Sequence, residues 1–282
     1  MMEKDDRKIG INKALKCFGG FVRYYDTTEP LTQIIALVST GDYRNILACC
    51  GGGDQALTML GAGGGRGSLW VVDINPAQLF VLAAKASFLK KNNLMPSFEQ
   101  LHRAYPGRIT AFKKNIRCLR QMCFYNTVTG RMIAPPDSLA EKYSIATDNG
   151  MFCLPESGPF WQKDPLFTAR VRARLGRLHF ARMDIFDSPD YFKQGSLDLI
   201  YMSDIFWPEA LTYYQAKLAR VAGLLRPGGR IITYLDAGDD FMGEGVSPGR
   251  MLAQQARTLA LKMDTDNVSG GYLVFERMRR GE

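Results

Sequence analysis

Four stretches of the chain place side chains of binding or catalytic type where an apolar run stops. Asn45-Ile46-Leu47-Ala48-Cys49-Cys50 runs into Gly51-Gly52-Gly53-Asp54. Bare backbone there lets a ligand approach closely, and a following helix offers free N–H groups; the same glycines also suit an ordinary turn. Ser68-Leu69-Trp70-Val71-Val72 ends in Asp73, a strand-terminal acid able to accept hydrogen bonds from both hydroxyls of a ribose. Arg182-Met183-Asp184-Ile185-Phe186-Asp187 offers an acid for an exocyclic amine, with Ile185 or Phe186 for a flat ring, while Asp187 before Ser188-Pro189 equally reads as a helix cap. Ser203-Asp204-Ile205-Phe206-Trp207-Pro208 combines a hydroxyl, a carboxylate and aromatic rings. These suit an amino group or a positively charged centre, or else a capped helix with Phe206 and Trp207 in the core.

Residues this far apart converge only if a fold brings the strand ends together. From Asn45 onward, short apolar runs alternate with amphipathic stretches, the pattern of βαβ units around a mainly parallel sheet. Strands are predicted at 45–50, 68–73, 178–184, 197–204, 231–235 and 272–277, and helices at 55–60, from about 79 to 90, at 208–225 and around 251–261. After the second strand, Leu79, Leu82, Ala83 and Ala86 recur at helical spacing whereas Gln78, Lys85 and Lys90 fall elsewhere on the wheel, which predicts a surface helix laid on the sheet. Leu224-Leu225-Arg226-Pro227-Gly228-Gly229-Arg230-Ile231-Ile232 reads as a helix, a tight turn and a strand, a junction typical of methyltransferase-like folds.

The expected fold is therefore α/β, a doubly wound class I methyltransferase-like Rossmann sheet with an inserted cap region. Ligands bind such sheets at the carboxyl ends of the strands, where the winding direction switches. Residues 41–94 and 176–282 are assigned to the sheet domain and residues 1–40 to a helical segment that can serve as a lid. Residues 95–175, rich in Arg, Pro, Met and aromatics, are assigned to an inserted substrate-binding or cap region, since irregular segments on a rigid sheet carry specificity.

Composition narrows the function classes. The 282 residues are 46% hydrophobic, ample for a packed core. No apolar run is long enough to span a bilayer, and no apolar segment follows the charged residues at the start, so a cytoplasmic protein is expected. Six cysteines without paired Cys-x-x-Cys spacing, and only His102 and His179 as imidazoles, imply neither a disulfide scaffold nor a metal site. Lys and Arg number 36 against 28 for Asp and Glu, a net charge of +8. Part of that excess is local, in Arg103, Arg108, Lys113, Lys114, Arg117 and Arg120; the span reads either as a solvated helix face or as a patch for an anionic partner.

A glycine turn followed by a strand-terminal acid fits a dinucleotide as well as S-adenosylmethionine (SAM). Asp184 tilts the choice, because dinucleotide folds need no acid there. SAM is thus the expected ligand, held by Gly51, Gly52, Gly53 and Asp54, by Asp73, by Asp184 and Ile185, and by Ser203.

The string Asp73-Ile74-Asn75-Pro76-Ala77-Gln78 resembles the D-x-N-P-A-Q segment of the betaine-lipid synthesis family, the SAM:diacylglycerol 3-amino-3-carboxypropyltransferases. Tyr25-Asp26-Thr27-Thr28-Glu29-Pro30 resembles the stretch preceding that family's first strand, and Ser97-Phe98-Glu99-Gln100-Leu101 the opening of its insertion. The likeness covers residues 20–235 loosely and is specific at Asp73–Gln78, which adds Ile74, Asn75 and Gln78 to the ligand-binding set. It implies attack at the γ-carbon of the methionine moiety with release of methylthioadenosine. Ser203-Asp204 stands where that family's pattern has Ser-Asn, and no membrane-binding helix is evident. The expected acceptor is therefore a small molecule, or SAM's own α-amino group closing to azetidine-2-carboxylate. Ser203, Asp204, Tyr25 and Tyr125, with Tyr24 and Tyr143, are the candidates to hold or deprotonate the nucleophile. An ordinary small-molecule methyltransferase is the competing reading; nucleic-acid binding through Arg103–Arg120 is a third, against which no RNA-binding module is present.

Overall fold

Runs such as Ile46-Leu47-Ala48 and Leu199-Ile200-Tyr201-Met202 carry apolar side chains on both sides of an extended chain, so they need cover on both faces of a sheet. A computed structural model describes residues 9–22, 31–63, 67–92, 94–111, 124–126, 131–133, 160–203, 211–234, 256–264 and 272–279. In chain order the elements are α1 (Ile11–Cys17), β1 (Gly20–Val22), α2 (Leu31–Ser39), β2 (Ile46–Cys49), α3 (Asp54–Ala62), β3 (Leu69–Asp73), α4 (Pro76–Asn92) and α5 (Phe98–Ala104). Then come β4 (Ile109–Ala111), β5 (Phe124–Asn126), β6 (Arg131–Ile133), α6 (Pro165–Arg174), β7 (Leu178–Arg182), β8 (Leu197–Ser203), α7 (Leu211–Gly223), β9 (Leu225–Tyr234), β10 (Leu261–Met263) and β11 (Tyr272–Arg277).

Seven strands form one sheet in the order β7-β3-β2-β8-β9-β11-β10. Strands β7, β3, β2, β8 and β9 run parallel, β11 is antiparallel to β9, and β10 is antiparallel to β11. The chain winds outward from β2 through β3 to β7, then returns to the other side of β2 for β8. The winding therefore switches between β2 and β8, where a doubly wound sheet opens its ligand crevice. This order, with one reversed strand slotted beside β9, is the class I methyltransferase-like form of the Rossmann sheet.

Successive strand residues feed two separate cores, as the two-residue period of a strand requires. Ile46, Ala48, Val71, Leu199 and Tyr201 join the cluster built with α1 to α4 and α6. Leu47, Val72, Ile200, Met202 and Ile231 join the cluster built with α7 and the 3-10 turn Ile185–Asp190.

Three expectations are corrected. Helix α4 is no surface helix: every residue from Ala77 to Ser87 is buried, Gln78 and Lys85 included, because α1, β1 and α6 pack over the side facing away from the sheet. A wheel read against one partner layer cannot show that a second layer covers the polar stripe. The Leu225–Arg230 junction is not a turn ahead of a strand; β9 runs through it, pairing Leu225 with Leu197 and Arg230 with Leu199, so residues 226–229 bulge opposite Asp198. The bulge closes on Asp198, which accepts the backbone N–H groups of Arg44 and Asn45 at 2.8 and 2.6 Å and pairs with Arg226. Finally, the helix expected around 251–261 ends otherwise in its described part: residues 256–260 form turns and Leu261–Met263 is β10. Pairing of Leu261 with Arg277 and of Met263 with Phe275 on β11 overrides the local helical spacing.

The N-terminal and inserted regions meet through β1 and β4, which pair in parallel over Gly20–Val22 and Ile109–Ala111. Helix α6 lies against α3, where Phe167 packs so closely on Gly61 that a Cβ there would stand 2.1 Å from its ring.

Candidate ligand-binding site

The carboxyl ends of β2 and β3 are tied by backbone pairing, and Cys50 beyond β2 still donates its N–H to Val72 at 3.0 Å. The chain then turns sharply, with Gly53 donating to the Cys50 carbonyl at 2.8 Å. Gly53 caps α3 in the left-handed region at φ +86°, and a Cβ there would lie 2.9 Å from Leu82 Cβ of α4. Both conformation and close helix approach demand glycine at this position.

All four carbonyls of the turn are taken up by the protein. Cys50 O accepts from Gly53, and Gly53 O from Leu57 at 3.1 Å. Gly51 O accepts from Gln78 Nε2 at 2.6 Å, and Gly52 O from Lys85 Nζ at 3.1 Å. Lys85 also pairs with Asp54 at 2.9 Å, their side chains only 1% and 3% exposed. Asp54 and Gln78, both expected to touch ligand, therefore serve the turn from beneath. Lys85 is the member that sequence reasoning missed; its signal was its i, i+7 spacing from Gln78, which puts both on one helix face two turns apart.

The segment Asp73–Gln78 has a local logic of its own. Asp73 Oδ1 accepts from the N–H of Asn75 at 2.8 Å, and Asn75 Oδ1 accepts from that of Ala77 at 3.0 Å. Asn75 is thus the cap of α4, with Pro76 at the first helical position. Asp73 is half-buried at the end of β3, and the following Ile74 is 39% exposed, an apolar surface at the lip of the crevice.

On β7, Asp73 pairs with Arg182, and Asp184 follows two residues on. Asp184 caps the 3-10 turn by accepting the Phe186 N–H at 3.0 Å. Burial pushes its carboxyl above the usual range, the Phe186 N–H opposes this, and the Asp187 charge adds to the rise while Lys217 lowers it. Asp187 pairs with Lys217 at 2.5 Å, so it fastens α7 to this turn. Ile185 and Phe186, the residues expected against a flat ring, are both buried in the core on the α7 side, whereas Ile74 is accessible.

At the end of β8, on the other side of the winding switch, Ser203 adopts φ +53° and is 7% exposed; its carbonyl accepts from the buried Thr233 hydroxyl at 2.9 Å. A serine held in the left-handed region costs about 1–3 kcal/mol and persists where its surroundings fix it, a feature that clusters at functional sites. Asp204, Phe206, Trp207, Tyr24, Tyr25 and Tyr143 lie outside the described residues. Tyr125 sits in β5, paired with Met132 of β6.

Cys50 is no nucleophile here. It is fully buried, its Sγ donates to the Gln78 carbonyl at 3.4 Å, and burial, followed by the Asp73 charge, pushes its thiol well above the usual range. Among the described residues no cluster of His, Cys, Asp and Glu is placed to hold a metal, and no helix is long and apolar enough to cross a membrane. Of the basic span, Arg108 closes the end of α1, donating to the carbonyls of Leu15, Lys16 and Phe18 at 3.0, 2.5 and 2.7 Å; Arg103 is exposed on α5, and residues 112–120 lie outside the described set.

No family model matches the chain, and no curated protein matches it. Among solved structures it is similar to the N-methyltransferase NodS from Bradyrhizobium japonicum WM9, at 13% identity over 88% of this chain and 94% of that one, with a TM-score of 0.44. An O-methyltransferase family protein from Burkholderia thailandensis matches at 12% identity over 89% of this chain and 57% of that one, with a TM-score of 0.42. NodS in complex with S-adenosyl-L-homocysteine matches at 13% identity over 88% and 86%, with a TM-score of 0.41.

Proposed function

We propose that the protein is a SAM-dependent enzyme whose ligand lies across the carboxyl ends of β2, β3 and β7, and that it acts at the γ-carbon of the methionine moiety. The observation that carries the SAM reading is the interlock of Asp73–Gln78 with the glycine turn. One short segment supplies the strand-end acid Asp73, the half-exposed Ile74 and the Gln78 amide that shapes the neighbouring turn. The fit to SAM rests on this chain's own features: a turn where a Cβ at Gly53 would collide with Leu82, a half-buried acid on each of two neighbouring strand ends, and a strained Ser203 across the winding switch.

In this reading Asp73 accepts the ribose hydroxyls, Ile74 covers one face of the adenine and Asp184 accepts from its amino group, with the glycine turn beneath the methionine portion. Bound SAM supplies a sulfonium, a centre from which carbon groups are displaced with a neutral thioether as leaving group. The chain's part is to hold the nucleophile in line and keep water out, since positioning supplies most of the acceleration in such displacements. Ser203, with Asp204, Tyr25 and Tyr125, is assigned to hold or deprotonate the nucleophile, either a small-molecule acceptor or SAM's own α-amino group. The preference for the γ-carbon over the methyl group rests on the likeness of Asp73–Gln78 to the aminocarboxypropyltransferase segment.

The test is to incubate the purified protein with SAM, alone and with candidate acceptors, and to identify the nucleoside product by mass spectrometry. Methylthioadenosine, accompanied by azetidine-2-carboxylate or an aminocarboxypropyl adduct, supports γ-carbon chemistry. S-adenosylhomocysteine would overturn it in favour of methyl transfer.

A further inference from the structure

A lysine only 1% exposed with an aspartate beside it needs a reason. Replacing such a buried pair by packed apolar side chains is often neutral or stabilising, so Lys85–Asp54 is poorly explained by stability alone. Its position suggests what it does. Asp54 is the first residue of α3, directly beyond the glycine turn, and Lys85 Nζ reaches both the Asp54 carboxylate and the Gly52 carbonyl.

Two physical consequences follow. A peptide unit is planar and trans, so turning the Gly51 carbonyl toward Gln78 turns the Gly52 N–H the opposite way, away from α4. Gln78 and Lys85 thus draw two successive carbonyls under the turn; the Gly53 N–H is taken by the Cys50 carbonyl, and the Gly52 N–H is turned to the other edge. The amino end of α3 carries partial positive charge that favours an anion, whereas an uncompensated Asp54 carboxylate beside it would repel one. Lys85 cancels that charge without contributing a donor from the ligand side, being buried beneath the turn.

We propose that Lys85 is a positioning residue that sets the glycine turn for a carboxylate: it neutralises Asp54 and fixes the Gly52 carbonyl inward, so that the turn and the start of α3 accept the anionic end of the ligand. The inference rests on the SAM reading, in which the α-carboxylate of the methionine moiety is the ligand's only anion.

The test compares two probes by calorimetric titration, S-adenosylhomocysteine and 5′-methylthioadenosine, which shares the nucleoside and lacks the amino-acid end that bears the carboxylate. Lys85→Met is expected to weaken S-adenosylhomocysteine by about tenfold or more and methylthioadenosine by no more than about twofold. The double variant Asp54→Asn/Lys85→Met removes the stranded charge and recovers most of the lost affinity. Asp54→Asn alone binds S-adenosylhomocysteine more tightly than the wild type, which keeps the idea testable if Lys85→Met does not fold. Equal weakening of both probes, no recovery in the double variant, or weaker binding by Asp54→Asn would overturn the role of Lys85. A wild-type protein that binds neither probe would instead overturn the SAM reading itself.

Discussion

Gln78 Nε2 donates to the Gly51 carbonyl at 2.6 Å, latching the helix that follows β3 to the turn that ends β2. Together with Lys85 on the Gly52 carbonyl and the Cys50 thiol on the Gln78 carbonyl, it fixes the two strand ends relative to each other, and with them the acid of one and the glycines of the other. Gln78→Leu keeps the side-chain volume and removes the donor. It is expected to lower stability by about 1 kcal/mol, the usual net worth of a hydrogen bond whose acceptor is left partly buried. Gln78→Glu sets a carboxylate oxygen against the carbonyl and is expected to cost more. Urea denaturation of the two variants checks the order; equal stability of all three proteins would mean that the latch is energetically idle.

Gly53 tests the same turn from the backbone. Gly53→Ala must hold a left-handed φ of +86° and place its Cβ 2.9 Å from Leu82 Cβ and 3.0 Å from Leu82 Cδ1. The conformational and overpacking terms together come to roughly 2–4 kcal/mol. Leu82→Ala removes the Cδ1 contact and keeps the Cβ, so it relieves part of the second. The double variant should therefore be less destabilised than the sum of the singles, by on the order of 1 kcal/mol. Strict additivity in denaturant midpoints would show that the Leu82 Cδ1 contact does not set the spacing between α4 and the turn.

The parts of the site legible in the sequence were those whose side chains act locally. The glycine turn, Asp73 at the end of a strand and Asp184 at the end of another follow from runs of apolar residues that stop at polar ones. The described strand ends fall within two residues of those readings at β2, β3, β7 and β8. What escaped was whatever depends on a second layer. Lys85 and Gln78 look like solvent-facing residues until α1 and α6 are known to cover α4. Asn75 shows a related ambiguity: the residues that resemble a ligand-binding motif also spell a helix start, with cap, proline and first donors in succession. The short pairing of β1 with β4 joins segments far apart in the chain, and three-residue strands carry too little periodicity to declare themselves.

Asp73 offers a cleaner separation of binding from folding. Asp73→Asn keeps an Oδ1 that can accept the Asn75 N–H, so the entry into α4 should survive and thermal stability should change little. The second carboxylate oxygen and the charge are lost, and with them the paired acceptance of two ribose hydroxyls. Affinity for S-adenosylhomocysteine is expected to fall by about tenfold, the loss of one charge-assisted bond. Circular-dichroism melting and calorimetric titration of one preparation check both halves. A large drop in melting temperature would assign Asp73 to the fold instead.

Asp184 makes the opposite trade, and its sign can be worked out. Burial raises its carboxyl above the usual range in the folded protein, so the native state holds the proton more tightly than the unfolded chain does. Stability from this group is therefore fully present below the unfolded-state value and is lost as pH rises through the higher folded-state value. At neutral pH the native protein carries the cost of a half-buried charge. Asp184→Asn removes that charge while its Oδ1 still accepts the Phe186 N–H, so the variant should be the more stable protein at pH 7. The gain is on the order of a few tenths of a kcal/mol, because water reaches part of the group and screens it. It should shrink toward zero as the pH falls below the ordinary carboxyl range and the wild-type residue becomes neutral too. The same substitution deletes a carboxylate acceptor for the adenine amino group and should weaken nucleoside binding by several-fold. Urea midpoints of both proteins between pH 3 and pH 8, with S-adenosylhomocysteine titrations at pH 7, decide it: a variant less stable than the wild type at neutral pH means that the carboxylate is held for the fold, and a more stable variant with weakened binding means that the charge is kept for the ligand.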